Sequence, residues 1–149
     1  MRVVVQRVSG ARVDIDGRTI GEIGPGLLVL LGIAPEDGPH EVQWLAEKIA
    51  NLRIFSDEAG KMNRSLLETN GEALIVSQFT LYGDARKGRR PSFVRAAAGL
   101  EAEALYEDVL ARVRSLGISC ASGEFGAMMD VTGTNEGPVT ILLDSEKAF

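Results

Sequence analysis

The first third of the chain carries the feature that most restricts its fold, a pair of strand-forming segments around a tight turn. The segment "VVVQRVSGARVDI" alternates apolar and polar residues, and an Asp16-Gly17 pair follows it directly. Asp-Gly beside such a segment is typical of a two-residue β-hairpin, because both residues accept the positive φ angles that the turn requires. A further segment, "GLLVLLGIA", is almost entirely apolar, which indicates a buried strand. The chain therefore begins as a sheet.

Two later segments have the periodicity of helices. In the first, "EDGPHEVQWLAEKIANL", Pro39 holds a position that is favoured at the start of a helix. Its apolar residues recur on one face, formed by Val42, Leu45, Ala46, Ile49 and Leu52. The second helix is predicted from about Leu100 to Leu116 and is ended by Gly117, with an inward face of Leu105, Val109, Val113 and Leu116.

The remaining segments add strands and one loop. "LRIF" is predicted as a short strand, "SDEAGKMNRSLLETNG" as a loop and "EALIVSQFTLYGD" as a strand, and three more strand candidates follow in "ISCASGEFG", "AMMDVTG" and "PVTILLD". Many strands with two main helices define an α+β fold, with a mostly antiparallel, mixed or barrel-like sheet. No linker divides the 149 residues, so we expect residues 1–149 to form one domain.

Composition excludes several classes of protein. The longest apolar run, "LLVLLGIA", is too short to span a membrane, and "MRVVVQRVSG" lacks the apolar stretch of a signal peptide. A single cysteine, Cys120, excludes an internal disulfide and a cysteine-rich metal cluster. We expect a soluble protein of the cytoplasm.

Positive charge is concentrated in one segment. Between Ala85 and Arg95 there is no acidic residue and there are five basic ones, Arg86, Lys87, Arg89, Arg90 and Arg95. The rest of the chain carries 11 basic and 21 acidic residues. A basic loop on an acidic body argues against broad coating by nucleic acid and favours a few phosphates held at one place. On charge alone, a loop that only aids solubility is equally consistent.

The residues needed for several kinds of catalysis are missing. The only histidine, His40, lies at a predicted helix start, where we expect it on the surface and away from any Ser-His-Asp or Cys-His site. No group of His, Cys, Asp or Glu has the spacing of metal ligands. The "GEIGPG" segment lacks the Lys-Ser/Thr of a phosphate-binding P-loop. We therefore expect neither a metal nor a cofactor.

One polar cluster remains at the end of an apolar strand, in "SQFTLYG". Ser77, Gln78 and Thr80 lead directly into the basic segment, but the sequence offers no base to activate either hydroxyl. If this cluster is catalytic, it acts through backbone N–H groups and positioning, on a substrate that is already labile. The pattern alone favours the alternative, a strand edge with hydroxyls on its solvent face.

Four motifs carry a resemblance to a known family. "SQFTL" at 77–81, "KGRRPSF" at 87–93, "GEFGAMM" at 123–129 and "NEGPVT" at 135–140 closely resemble the D-aminoacyl-tRNA deacylases, as does the opening "VVVQRVSGARV". The resemblance covers the whole chain. It implies a deacylase-like fold and hydrolysis of the ester between a D-amino acid, or glycine, and the terminal ribose of tRNA. Because that ester is activated, a positioned water, an oxyanion hole and the ribose hydroxyl suffice for the reaction.

The resemblance also implies roles for particular residues. The catalytic residues would be Ser77, Gln78, Phe79 and Thr80, with the backbone N–H groups around Phe79 and Thr80 facing the oxyanion. Contacts to tRNA would come from Arg86, Lys87, Arg89 and Arg90. Phe125 and Met129 would be walls of the pocket, and Arg7 would brace the loop of Gly137 and Pro138. The family forms homodimers, in which this loop would reach the "SQFTL" site of the other subunit.

The Gly137-Pro138 pair has two interpretations. From the residues alone, it is an entrance to the strand "PVTILLD", since proline is tolerated at the first residue of a strand. The resemblance instead implies a cis peptide bond whose neighbouring carbonyls hold the substrate's ammonium group. An L side chain would then collide with the backbone, whereas a D side chain would point out of the pocket and glycine would also be admitted.

Two functions of other classes stay open at this stage. One is a non-catalytic module that binds RNA ends or nucleotides through the 86–95 segment, and the other is a small-molecule-binding dimer domain without a reaction. Release of free amino acid from D-aminoacyl-tRNA distinguishes the enzyme from both.

Overall fold

The computed structural model describes residues 1–149, which form eight strands, three α-helices and one 3-10 turn. The strands are β1 (Arg2–Ile15), β2 (Arg18–Ile23), β3 (Gly26–Gly32), β4 (Phe55–Ser56), β5 (Met62–Arg64), β6 (Glu72–Ser77), β7 (Cys120–Ser122) and β8 (Asp130–Asp144). The helices are α1 (Pro39–Asn51), α2 (Leu66–Thr69) and α3 (Gly99–Ser115), and the 3-10 turn is Phe79–Tyr82.

The predicted hairpin joins β1 to β2. Asp16 and Gly17 have φ angles of 49° and 76°, and Ile15 pairs with Arg18 across the turn. Two consecutive residues with positive φ are what a turn matched to the twist of a hairpin needs. The turn prediction from the Asp-Gly pair is confirmed.

The long strand β1 organises a mixed sheet that nearly closes into a barrel. Along one edge β1 pairs with β8, and along the other it pairs first with β3 and then with β2, all antiparallel. Strands β6 and β7 continue in parallel from β3. Strand β2 curls back toward β7, so closely that a Cβ on Gly21 would collide with the carbonyl oxygen of Ser122. The predicted α+β class with a mixed, barrel-like sheet is confirmed.

Two apolar clusters stabilise this arrangement. The larger, of 21 buried residues, lies between one face of the sheet and the helices α1 and α3. At its centre the buried Tyr106 hydroxyl donates to the carbonyl oxygen of Ile75 at 2.7 Å. The smaller cluster fills the inside of the curled sheet, and its members are Val8, Ala11, Val13, Ile23, Leu28, Leu74 and Val76.

Both main helices were predicted, but their buried faces differ in detail. On α1 the predicted face is buried except for Leu52, which caps the helix and is only partly buried. On α3, Leu105 and Leu116 are only partly buried, and the buried face is Ala102, Tyr106, Val109, Leu110 and Val113. Gly117, with a φ of 91°, follows the end of α3 as predicted. None of the helices has the length and apolar composition needed to cross a membrane.

The segment predicted as a loop contains a short strand and a short helix. Strand β5 pairs with β4 in a small separate sheet, so "LRIF" contributes only Phe55 to a strand. Helix α2 begins at a capping box, in which the Glu68 N–H donates to Ser65 Oγ at 3.2 Å and the Ser65 N–H donates to Glu68 Oε2 at 2.7 Å. The Ser-x-x-Glu spacing was the available signal for this helix start.

Four of the segments predicted as strands need correction. The strand predicted over "EALIVSQFTLYGD" ends at Ser77, and a 3-10 turn follows. "AMMDVTG" and "PVTILLD" belong to the single strand β8, and "ISCASGEFG" contributes only β7. Within β8, Asn135 pairs with Val8 and Thr140 pairs with Gln6, so the residues between them leave the ladder as a bulge. We call residues 136–139 the bulge. The Gly137-Pro138 pair therefore lies in the middle of a strand and is not its entrance.

Candidate active site

The 3-10 turn of Phe79–Tyr82 begins where the central strand β6 loses its partner. Ser77 is still paired with Leu31, and the Gln78 N–H donates to the Leu31 carbonyl at 2.7 Å. Strand β3 ends at Gly32, so the chain turns, with the Leu81 N–H donating to the Gln78 carbonyl at 3.2 Å. The first N–H groups of such a turn have no acceptor inside it. Those of Phe79 and Thr80 are consequently directed away from the turn's own carbonyls.

The side chains of the turn are arranged without a general base. Gln78 Nε2 donates to Thr80 Oγ1, and no hydrogen bond joins the Ser77 or Thr80 hydroxyl to a carboxylate or an imidazole. The ring of His40 is exposed at the start of α1, 3.0 Å from the Glu41 carboxylate, as its sequence position predicted. The turn thus presents backbone donors and hydroxyls and no group that could remove a proton from those hydroxyls.

The Phe79 ring is the most exposed aromatic part of the turn. It is 55% exposed and meets the ring of Phe93 edge to face, with centroids 5.2 Å apart. Tyr82, by contrast, is buried and anchors the end of the turn under the guanidinium of Arg2, which lies 4.8 Å from the ring centroid. The last residue of the turn is therefore anchored in the protein interior, while its first residues face solvent.

The Gly137–Pro138 peptide bond is cis, as expected. Gly137 has a φ of 125°, in the region that residues with a side chain rarely adopt. A Cβ at this position would lie 2.9 Å from Val139 Cγ2 and 3.1 Å from Arg7 Nη2. The bulge therefore requires a glycine at position 137, both for its conformation and for the space around it.

Arg7 contacts the bulge from β1. Its Nε donates to the Glu136 carbonyl at 3.3 Å, and its Nη1 donates to the Ile54 carbonyl at 2.7 Å. The Glu136 carboxylate lies 3.5 Å from Arg7 Nε, and the arginine side chain is only 12% exposed. Arg7 thus contacts the residue that precedes Gly137 and Pro138, the pair that it was predicted to brace.

A groove lies between the strand end at Gln78 and the start of the bulge. Its volume is about 270 Å³, and it is lined by Gln6, Val8, Leu28, Leu30, Gln78, Val131, Gly133 and Asn135. Phe125 and Met129 do not line it, because Phe125 packs on Tyr106 with ring centroids 5.8 Å apart and Met129 packs on the inner apolar cluster. A larger groove, of about 650 Å³, runs along α1 and contains none of the predicted site residues.

The basic segment forms an exposed loop closed at its base. Asp84 and Ser92 exchange two backbone hydrogen bonds, of 2.8 and 2.9 Å. Arg86 forms an ion pair with Asp84 and, with its backbone N–H, holds the pKa of that carboxyl well below its usual range. Arg95 lies 3.4 Å from Glu146, whereas the three other cations of the loop form no ion pair, namely Lys87, Arg89 and Arg90. These three are free to bind an anion.

The polar side chains beside the bulge were not predicted as site residues. Asn135 hydrogen-bonds to Val139 and Thr140, and Gln6 donates to Thr140. An Asn next to a Gly-Pro turn was the available signal, because Asn side chains commonly bond to nearby backbone groups.

The fold and the sequence both match proteins that are already known. A solved structure of a probable eukaryotic D-amino acid tRNA deacylase superposes with a TM-score of 0.81, covering 95% of this chain and 97% of that one. At 21% identity, this likeness concerns the fold alone. A solved structure of the c-Myc DNA Unwinding Element Binding Protein is 43% identical, with a TM-score of 0.91, and covers 97% of this chain and 99% of that one.

Sequence relatives determine the family. Residues 4–144 match the family model described as D-Tyr-tRNA(Tyr) deacylase. The D-aminoacyl-tRNA deacylase of Desulfatibacillum aliphaticivorans is 60% identical over 146 residues, which are 98% of this chain and 100% of that protein. The D-aminoacyl-tRNA deacylase of Thermosipho africanus (strain TCF52B) is 56% identical over the full length of both chains. The chain belongs to the D-Tyr-tRNA(Tyr) deacylase family. The enzyme class predicted from the motifs, a hydrolase of the D-aminoacyl-tRNA ester, is confirmed.

Proposed function

We propose that this chain releases D-amino acids, and also glycine, from tRNA in the cytoplasm by a reaction carried by backbone groups. The observation that carries the proposal is the arrangement of the turn, where the Phe79 and Thr80 N–H groups are free at the end of β6. An aminoacyl ester needs little activation, so charge stabilisation and positioning are sufficient catalysis. The products are free D-amino acid, or free glycine, and uncharged tRNA.

In this mechanism the ester carbonyl oxygen faces the Phe79 and Thr80 N–H groups. They stabilise the negative charge that develops as a water, assisted by the neighbouring ribose hydroxyl, attacks the ester carbon. Ser77 and Gln78 shape the site without exchanging protons with the substrate. The Gln78 amide donates a hydrogen bond to Thr80 Oγ1. No side chain of the turn forms a covalent bond to the acyl group.

Selection against L-amino acids is assigned to the Gly137-Pro138 backbone. Its carbonyls bind the substrate's ammonium group, and Gly137 leaves no Cβ between the backbone and the substrate. With ammonium and ester both fixed, an L side chain is directed into the bulge and a D side chain is directed away from it. Glycine, which has no side chain, passes the same test. Phe125 and Met129 are retained as proposed walls of this pocket, although they do not line the groove of the single chain.

We assign the bulge to the active site of a second subunit in a two-fold homodimer. Strand β8 pairs only with β1, which leaves its other edge of 15 residues unpaired, and Leu142 on this strand is 57% exposed. Long unpaired edges invite pairing or cover by another chain, and homodimers with two-fold symmetry are the commonest assembly. The bulge interrupts β8, so in a dimer that covers this edge the bulge of one subunit would lie against the other subunit.

The proposed tRNA contacts come from the loop of residues 85–91. Lys87, Arg89 and Arg90 bind phosphates near the acceptor end, while Arg86, which is paired with Asp84, acts mainly by holding the loop's shape. Three unpaired cations on one exposed loop suit a short stretch of phosphates better than a long duplex surface.

Hydrolysis of matched substrates by the purified protein tests the proposal. We expect release of amino acid from D-tyrosyl-tRNA and of glycine from a non-cognate tRNA, and far slower release from L-tyrosyl-tRNA, each rate being corrected for the rate with heat-denatured protein. Binding of the charged tRNA without release would instead support the RNA-binding module. The absence of both binding and release would leave the small-molecule-binding domain.

A further inference from the structure

One side chain closes the base of the bulge. Asn135 Oδ1 accepts a hydrogen bond from the Val139 N–H at 3.1 Å, and Asn135 Nδ2 donates to Thr140 Oγ1 at 2.9 Å. Asn135 stands where β8 enters the bulge, and Val139 and Thr140 stand where it leaves. The amide thus fixes the distance between the two ends of the segment that carries Gly137 and Pro138.

A second amide ties this closure to the rest of the sheet. Gln6 lies opposite Thr140 in the β1–β8 register, and Gln6 Nε2 donates to Thr140 Oγ1 at 3.3 Å. A threonine oxygen has two lone pairs, and here each accepts from one amide. The Thr140 hydroxyl therefore connects the end of the bulge both to its beginning and to β1.

The bulge has few other attachments. Its residues make no ladder pairs with β1 between the Gln6–Thr140 and Val8–Asn135 pairs, and Glu136, Gly137 and Pro138 are exposed. Arg7 holds one end through the Glu136 carbonyl. At the other end the Val139 side chain packs against the larger apolar cluster, and the hydrogen bonds there are those of the amides around Thr140. Gln6 and Asn135 also line the groove next to Gln78, which places this network beside the proposed substrate site.

We propose that Asn135, Thr140 and Gln6 form an amide clamp, a set of positioning residues that determines how strongly the enzyme prefers D- over L-substrates. This inference rests on the proposed function of the bulge. Rejection of an L side chain by backbone collision works only if the backbone cannot yield, and a shift of about 1 Å at a positioning element can cost on the order of 100-fold in rate. The clamp supplies that rigidity at the Val139 end.

The matched pair Thr140→Val and Thr140→Ser tests the clamp. Valine keeps the branched shape and removes the oxygen that accepts both amides, whereas serine keeps the oxygen. We expect Thr140→Val to lower the D-over-L ratio of kcat/KM by roughly fivefold or more, the effect of about two lost neutral hydrogen bonds. We expect Thr140→Ser to stay within about twofold of the unsubstituted protein. Thr132→Val, an exposed site on β8 that is still paired with Arg12, is the control for the substitution itself.

A second measurement does not depend on activity. Hydrogen exchange of the Val139 backbone amide, the group that donates to Asn135, should become roughly tenfold faster in Thr140→Val and in Asn135→Ala, but not in Thr132→Val. An unchanged exchange rate of the Val139 amide would overturn the clamp, whatever the measured D-over-L ratio. Faster exchange with an unchanged D-over-L ratio would overturn its role in specificity. If the unsubstituted protein itself shows no preference for D-substrates, the proposed function of the bulge is wrong, a result separate from either of these.

Discussion

At the scale of single residues, the proposed catalysis by backbone groups depends on the turn after β6. Thr80 Oγ1 accepts a hydrogen bond from the Gln78 amide, and no base lies within hydrogen-bonding distance of it or of Ser77. An alanine at either position keeps the backbone N–H. We therefore expect Thr80→Ala and Ser77→Ala to retain kcat within about tenfold, far above the ~10²–10³-fold loss that follows removal of an oxyanion donor. Single-turnover hydrolysis of D-tyrosyl-tRNA measures this.

Two results would contradict that assignment. One is an acyl group trapped on Thr80 by rapid acid quenching and mass spectrometry. The other is complete inactivity of a Thr80→Ala protein whose thermal unfolding is normal. Either would make the Thr80 hydroxyl a nucleophile.

Tyr82, at the end of the same turn, allows an independent prediction. Its hydroxyl is buried without a hydrogen-bond partner in the protein, and burial raises the pKa of the phenol far above its usual value, so it stays protonated. A buried hydroxyl without a partner costs about 1–3 kcal/mol. Tyr82→Phe should therefore keep the free energy of unfolding unchanged or raise it by up to about 1 kcal/mol, as measured by urea unfolding. A marked loss of stability would mean that the hydroxyl has a partner.

The sequence predicted some of these residues and missed others for a physical reason. Gln78 and Gly137 lie in motifs that could be recognised, and the structure places them at a strand end and in a bulge. The link between Gln6 and Thr140 joins residues 134 apart in the chain, through a strand register that no local pattern contains. Contacts of this kind become visible only in the folded molecule.

At the scale of elements, two of the strand predictions fail where a strand stops pairing. Apolar residues continue past Ser77 in "FTLY", so the local pattern extends β6, but β3 ends at Gly32 and offers no further partner. The Gly137-Pro138 pair indicated a strand boundary because proline cannot donate a hydrogen bond to a β-ladder. In the structure β8 continues past the pair, which lies unpaired in the bulge. The turn after Ser77 and the bulge both lie where strand pairing is interrupted. At such positions the local sequence pattern says least about the backbone conformation.

The basic loop is the element whose role is most directly testable. Neutralising Lys87 and Arg89 with glutamine should weaken tRNA binding to a similar extent for different tRNA bodies. It should also reduce the log–log salt dependence by about one unit per lost phosphate contact. The matched control is Arg18→Gln with Lys61→Gln, which removes the same two charges from exposed sites on β2 and between β4 and β5. Equal effects of both double variants would mean that the loop contributes only to the net charge of the protein and makes no specific phosphate contacts.

At the scale of the whole molecule, the sequence predicted the α+β class but could not show how the sheet closes. Closure depends on β2 meeting β7, where Gly21 approaches the Ser122 carbonyl, and these residues are 101 positions apart. The hairpin, the two main helices and the buried strands were predicted because each follows from local periodicity. The curl of the sheet follows from packing between elements distant in the chain.

The proposed dimer makes a prediction about complementation. We expect Gly137→Ala to impair the bulge and Gln78→Ala to impair the turn. If each active site combines the turn of one subunit with the bulge of the other, a heterodimer of these variants contains one intact site. Random subunit exchange should then restore activity toward about a quarter of that of the unsubstituted dimer. Native mass spectrometry verifies the exchange, and heterodimers without recovered activity would place each site within a single chain.

The central claim is that the Gly137-Pro138 backbone rejects L-amino acids, and the most direct test is the D-over-L ratio of kcat/KM in Gly137→Ala. An alanine Cβ would lie 2.9 Å from Val139 Cγ2 and would have to adopt a φ of 125°. The bulge must therefore move away from its position against the substrate. We predict slower hydrolysis of D-tyrosyl-tRNA and a D-over-L ratio that falls by on the order of tenfold or more. A ratio equal to that of the unsubstituted protein, in a variant that folds normally, would contradict the claim.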